Sequence, residues 1–307
     1  MEVVKIAPRG YCHGVVSALK QMRDIAKDKS ISRPIHVLGM VVHNQKIVED
    51  FNALGLKTLS APNKSRLELL DEVDEGTIVI TAHGVSDAVY KKAQDKGLNI
   101  IDTTCRDVKT SQETIKTYLH DNYQVLFIGK KNHPESETAL SYDGVHLITK
   151  EHDINSLKGL KGKIAITNQT TMSLFDIYHL TETIKKVFPE AVFIDEVCDA
   201  TRLRQLAVSH QPKDIDHCFV VGDPKSNNSN KLVEISAQTG IPASLIESVE
   251  DIKSEDLKQF KKVSVTSGAS TPTQITKEVI QYLQSFNTVD RTTHKPLSIY
   301  KRKNIFK

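Results

Sequence analysis

Three of the four cysteines stand at equal intervals, with Cys12, Cys105 and Cys198 separated by 93 residues at each step. Each follows a short apolar run: Val3-Val4-Lys5-Ile6-Ala7, Asn99-Ile100-Ile101-Asp102 and Val192-Phe193-Ile194-Asp195. Each also precedes a helical pattern, so the thiol falls at a strand-to-helix junction. There the N–H groups of the helix N-terminus favour a thiolate. No CxxC pair is present, which excludes a local zinc ribbon and a ferredoxin run. Three distant thiolates brought to one point would hold a catalytic zinc with an open position, or a [4Fe–4S] cluster with one iron lacking a protein ligand. Residue chemistry alone leaves both. Cys218, inside His217-Cys218-Phe219-Val220, reads as a small core hydrophobe.

A second set of residues recurs in register with the thiols. His43, His83, His133, Thr170, Ser226, Asn228 and Ser270 lie in polar loops after short strands. The set is rich in donors and poor in acids, as a phosphate or diphosphate requires, and no P-loop is needed to bind such an anion. Glu135 is the carboxylate among them. On a surface it would be an ordinary glutamate, whereas in an enclosed site its pKa would rise and suit it to donate a proton. The Thr170 loop would orient a substrate hydroxyl beside it.

These positions need a repeated scaffold. After each spaced cysteine comes a helical stretch, with apolar positions Val15, Leu19, Met22 and Ala26, then Val108, Ser111, Ile115 and Leu119, then Ala200, Leu203, Ala207 and His210. A strand ending in Gly39, Gly129 or Gly222 follows, then a polar loop, a weaker strand, and a strand ending in Thr81, Thr167 or Thr266. A further helix leads to the next cysteine. Alternating strands and helices predict α/β units with small parallel sheets and right-handed crossovers, and ligands beyond the strand C-termini. Three pseudo-symmetric units packed around one central site are the expected architecture. Their boundaries are 13–104, 105–197 and 198–286 plus 1–12, with a basic tail at 287–307. The third unit lacks a strand after its last helix, so the N-terminal strand is expected to complete its sheet. Leu297-Ser298-Ile299-Tyr300 is the rival segment.

Composition narrows the class. A chain of 307 residues with 39% hydrophobic and 26% charged residues is globular, neither disordered nor membrane-embedded. The formal charge of +3 is carried by the tail from Asn287 to Lys307, whose net is +5, leaving −2 for the body. That balance gives no support to nucleic-acid binding, and the tail reads as solvated. No signal peptide or membrane-spanning stretch is recognised, so a cytoplasmic protein with reduced thiols is expected, without a membrane partner.

The motifs together resemble the 4-hydroxy-3-methylbut-2-enyl diphosphate reductase family of the non-mevalonate isoprenoid pathway. They are Pro8-Arg9-Gly10-Tyr11-Cys12, Val42-His43-Asn44, Thr81-Ala82-His83-Gly84-Val85-Ser86, Asp102-Thr103-Thr104-Cys105, His133-Pro134-Glu135, Gln169-Thr170-Thr171, Cys198-Asp199-Ala200-Thr201, Ser226 to Asn230 and Thr266 to Ser270. The likeness covers residues 1–286. It implies a trefoil of three αβ domains around one [4Fe–4S] cluster per chain on Cys12, Cys105 and Cys198, and an allylic diphosphate bound by His43, His83, His133, Ser226, Asn227, Asn228 and Ser270. It implies catalytic roles for Glu135, Thr170 and His133, and reduced ferredoxin or flavodoxin as electron donor. The chain departs from the usual pattern at His13, Val16, Arg106, Asp199 and Asp223-Pro224-Lys225. A non-catalytic iron–sulfur sensor and a zinc hydrolase are the competing classes. Glu135 and the donor loops are superfluous to a sensor, and metal content separates zinc from iron.

Overall fold

The computed structural model describes residues 1–42, 44–61 and 64–295. His43 and the Leu297–Tyr300 segment lie outside the described residues. Twelve strands are found among those described: β1 (Glu2–Lys5), β2 (Ile35–Leu38), β3 (Leu56–Leu59), β4 (Thr77–Ile80), β5 (Asn99–Asp102), β6 (Tyr123–Ile128), β7 (Val145–Ile148), β8 (Lys163–Asn168), β9 (Val192–Phe193), β10 (His217–Val221), β11 (Ala243–Ile246) and β12 (Lys262–Ser267). They form three four-stranded sheets with orders β3-β2-β4-β5, β7-β6-β8-β9 and β11-β10-β12-β1. Every pairing is parallel. The protein is thus an α/β protein with small parallel sheets.

The three orders are the same order. In each, the strand after the cysteine helix and the threonine strand are central, and the strand leading to a cysteine takes one edge. In the third sheet that edge is β1, paired with β12 from Glu2↔Lys262 to Lys5↔Val265. The N-terminal strand therefore fills the place that the sequence reserved for it. Central strands are the most apolar because helices cover both faces; β2 and β4 are buried at every residue.

By contacts the chain divides into two compact units. One holds Met1–Val15, Val42–Asp50 and the chain from Asp199 onward; the other holds Val16–Val41 and Phe51–Cys198. In the first, Phe219, Val221, Val263 and Val265 pack on Ile275, Val279 and Leu283 of the helix Thr273–Ser285. The opposite face of that sheet buries Cys218 and Val220 against Val208, Leu232 and Ile235. In the second unit, Leu126, Ile128, Ile164 and Ile166 pack on Ile177, Leu180 and Ile184, and a separate cluster gathers Leu38, Ile78, Ile80 and Val89. Among the described residues no helix is long and apolar enough to cross a membrane.

Helix faces follow the sequence pattern unevenly. Val108, Ser111 and Ile115 form the buried face of Arg106–His120 as expected. The helix Asp199–Ser209 departs from it. Leu203 is 54% exposed, and the buried side is Thr201, Arg204, Gln205 and Val208. The reason is polar anchoring, because Arg204 donates from Nη1 to the carbonyl of Ala200 and from Nη2 to that of Gly10, each at 2.7 Å.

Candidate active site

Each spaced cysteine sits at the mouth of a helix. Cys12 Sγ accepts the N–H of Val15 (3.4 Å) in the first turn of His13–Lys27. Cys105 is the N-cap of Arg106–His120, and Cys198 directly precedes Asp199–Ser209. All three are partly exposed and none is in a disulfide, whereas Cys218 is buried and burial raises its thiol pKa. The backbone repeats as well. The N–H of Cys12 donates to Ala269 (3.0 Å), that of Cys105 to Ala82 (3.0 Å) and that of Cys198 to Thr170 (3.1 Å). Each acceptor lies in the loop after a threonine strand, so the same loops fix the thiols and carry the polar residues.

In the second unit these links form a continuous path. From Cys105, bonded to Ala82, the next residue is His83, whose ring meets that of His133 edge-on with centroids 5.7 Å apart. His133 caps the helix Pro134–Leu140, its Nδ1 accepting the N–H of Glu135 at 3.3 Å. With Nδ1 an acceptor, the neutral ring carries its proton on Nε2. The Glu135 carboxylate accepts the N–H of Thr170 (2.9 Å) and its hydroxyl (3.1 Å). The carbonyl of Thr170 then holds Cys198. Pro134 at the first helical position and the missing intrahelical partners of that turn explain why the helix starts there.

Glu135 is 6% exposed. Burial pushes its pKa from the ordinary 4.5 up to about 7, against the downward pull of both Thr170 hydrogen bonds. A carboxyl group with this pKa is an acid near neutrality that recovers its proton readily. The sequence named Glu135, Thr170, His83 and His133 separately, and the fold brings them together.

In the first unit the residues after β10 and β12 form a donor cradle. The sequence treats Ser226 to Asn230 as a loop, but the structure starts a helix there, Asn227–Gln238, with Ser226 as N-cap accepting the N–H of Ser229 at 3.3 Å. Asn227 and Asn228 lie in its first turn, where anions are favoured. Both amide atoms of Asn228 and the hydroxyls of Ser229 and Ser270 are buried with no hydrogen-bond partner among the described residues. Buried polar groups left this way cost stability unless a ligand engages them. Gly222 and Gly268 make the cradle possible, since a Cβ at either would collide with the Ser229 hydroxyl. Gly10, at φ +79°, donates its N–H to Ser267 Oγ (2.7 Å) and ties the Cys12 loop to the same strand end. His43 lies outside the described residues; its neighbour Asn44 caps the next helix through the N–H of Ile47 (3.1 Å).

Sequence reasoning passed over Arg204, and it gave Ser229, Gly222 and Gly268 no role beyond their places in a motif or at a strand end. The signal was faint: an arginine among apolar helix positions, and glycine where each strand ends.

The profile of the LytB protein family matches residues 3–284. Among similar proteins, the 4-hydroxy-3-methylbut-2-enyl diphosphate reductase of Bacillus cereus (strain B4264) is 49% identical over 296 residues, 95% of this chain and 93% of that protein. The Bacillus licheniformis protein of the same name is 48% identical over 298 residues, covering 96% and 94%. The solved E-1-hydroxy-2-methyl-but-2-enyl-4-diphosphate reductase of Plasmodium falciparum superposes with a TM-score of 0.84 at 29% identity, over 94% of this chain and 89% of that one. A second solved structure, an (E)-4-hydroxy-3-methyl-but-2-enyl diphosphate reductase, gives a TM-score of 0.64 at 26% identity, over 93% and 100%. With this match along nearly its whole length, the chain belongs to the LytB protein family and is an oxidoreductase.

Proposed function

We propose that this chain reduces 4-hydroxy-3-methylbut-2-enyl diphosphate to isopentenyl and dimethylallyl diphosphates, using one [4Fe–4S] cluster held by Cys12, Cys105 and Cys198. The observation that carries the reading is the path from Cys105 through His83, His133, Glu135 and Thr170 to Cys198, with a buried acid titrating at about 7 in its middle. The cysteines fit such a group. Each is a soft ligand at a helix N-terminus, and three of them leave a fourth corner without a protein ligand. When bound, the cluster supplies electrons and Lewis acidity.

The reaction consumes two electrons and two protons and releases the allylic hydroxyl as water. Protonated Glu135 delivers a proton to that leaving oxygen. Thr170 keeps both oxygens of the Glu135 carboxylate in hydrogen bonds, which restrains the acid and eases loss of its proton. In this reading the His133 Nε2–H, His83 and His43 bind the diphosphate together with Ser226, Asn227, Asn228 and Ser270. The orphaned amide of Asn228 and hydroxyl of Ser270 then acquire partners. The reading includes αβ modules at 13–104, 105–197 and 198–286 plus 1–12, reduced ferredoxin or flavodoxin as electron source, and a cytoplasmic location.

Anaerobic turnover with a strong chemical reductant tests it. Both five-carbon diphosphates are expected from the hydroxymethylbutenyl diphosphate, and absence of both from iron-loaded protein refutes the assignment.

A further inference from the structure

We infer that Asp102 and Asp195 are positioning residues, each clamping the turn that presents the next cysteine. The inference rests on the reading that Cys105 and Cys198 are cluster ligands.

Both aspartates stand three residues before their cysteine, Asp102 at the end of β5 and Asp195 just after β9. Asp102 Oδ1 accepts the N–H of Thr104 (2.8 Å) and its hydroxyl. Asp195 Oδ1 likewise accepts the N–H of Val197 at 3.0 Å. A carboxylate bonded to the N–H two residues ahead closes an Asx turn and removes freedom from the residue between. Asp195 has a further partner: Tyr178, from the helix Leu174–Val187, donates to its Oδ2 at 3.3 Å. Lys109 adds a charged contact of 2.7 Å to Asp102 Oδ2. The cysteine's own N–H is meanwhile fixed on Ala82 or Thr170. With the turn pinned at both ends, little but the cysteine side-chain torsion is left to vary.

The Cys12 loop uses another device. Arg9 occupies the equivalent position and donates to the Ile6 carbonyl, while Gly10 is held by Ser267 and Arg204. Sequence spacing therefore repeats three times, but the aspartate clamp only twice.

A purely structural role predicts a different outcome. Partly exposed pairs add little to global stability, so losing a clamp should loosen the thiol and leave the fold intact. The test uses full-length, anaerobically loaded protein. Iron and sulfide contents, the rate of cluster bleaching under a chelator, and the thermal midpoint are measured for wild type, Asp102→Ala, Asp102→Asn, Asp195→Ala, Thr104→Val and Asp28→Ala. The last removes an Asx turn on Ser30 far in sequence from any cysteine.

Bleaching is expected to accelerate about tenfold in Asp102→Ala, within the range for residues that orient metal ligands, and less in Asp195→Ala. Asp102→Asn, which keeps the Oδ1 acceptor, should restore most of the lifetime, and Asp28→Ala should match wild type. If Asp102→Ala fails to fold, Thr104→Val, which deletes the hydroxyl bond to Asp102 Oδ1, carries the test, with a rise of about threefold for one lost hydrogen bond. Wild-type bleaching rates in both Asp102→Ala and Thr104→Val overturn the inference, as does equal acceleration in Asp28→Ala or a parallel fall in thermal midpoint. Wild-type protein that takes up no iron overturns the functional reading instead.

Discussion

A carboxyl group enclosed as Glu135 is resists ionisation, and its hydrogen bonds to Thr170 only partly relieve the cost. Proton delivery should therefore fall as pH rises through about 7, where Glu135 loses its proton. Stability follows the same sign. Between its ordinary 4.5 and about 7 the folded chain holds a proton that the unfolded chain has released. This contribution is full below 4.5 and lost as pH rises through about 7. Glu135→Gln should cost about 10²–10⁴-fold in turnover while keeping iron and diphosphate binding, and should flatten the stability profile; undiminished turnover removes Glu135 as proton donor. Thr170→Val deletes one of the bonds that lower the Glu135 pKa, so the midpoint of the pH–rate profile should move upward; a downward move contradicts the assigned polarity. Glu135 was legible in the sequence as a carboxylate among donor residues. Arg204 was not, because the Gly10 carbonyl that it holds lies far away along the chain and no short spacing marks it.

At the scale of elements, the chemistry is set at helix starts. The helices Pro134–Leu140 and Asn227–Gln238 begin with His133 and Ser226 as caps, and both carry a serine in their first turn packed against a strand-end glycine, Ser136 on Gly129 and Ser229 on Gly222. Gly222→Ala should shift the Asn227–Gln238 N-terminus at a cost of about 1–3 kcal/mol, the usual range for overpacking, and weaken inorganic diphosphate binding in a calorimetric titration. Adding Ser229→Ala should recover part of both losses; unchanged affinity in Gly222→Ala would dissociate this helix start from anion binding. The small parallel sheets, and the N-terminal strand that completes the third, could be read from recurring apolar runs; the strand order within each sheet could not. The buried side of Asp199–Ser209 could not, since Thr201, Arg204 and Gln205 face inward for polar reasons that hydrophobic periodicity does not encode.

For the whole molecule, the 93-residue spacing of the thiols is matched by three sheets of one strand order, so the repeat in sequence is a repeat in topology. The fourth cysteine, Cys218, is buried in a core cluster that includes Val220 and Ile235. Replacing Cys12, Cys105 or Cys198 by serine should abolish cluster retention, while Cys218→Ser should leave iron content unchanged; iron loss in Cys218→Ser would overturn the division of the cysteines. The central claim is that three thiols hold one cluster used to reduce an allylic diphosphate. Anaerobic purification with iron, sulfide and zinc quantified per chain, followed by turnover of the same sample, tests it most directly. The account predicts a brown protein with about four irons that converts the hydroxymethylbutenyl diphosphate to both five-carbon diphosphates. A colourless protein with stoichiometric zinc and no reductase activity would contradict it.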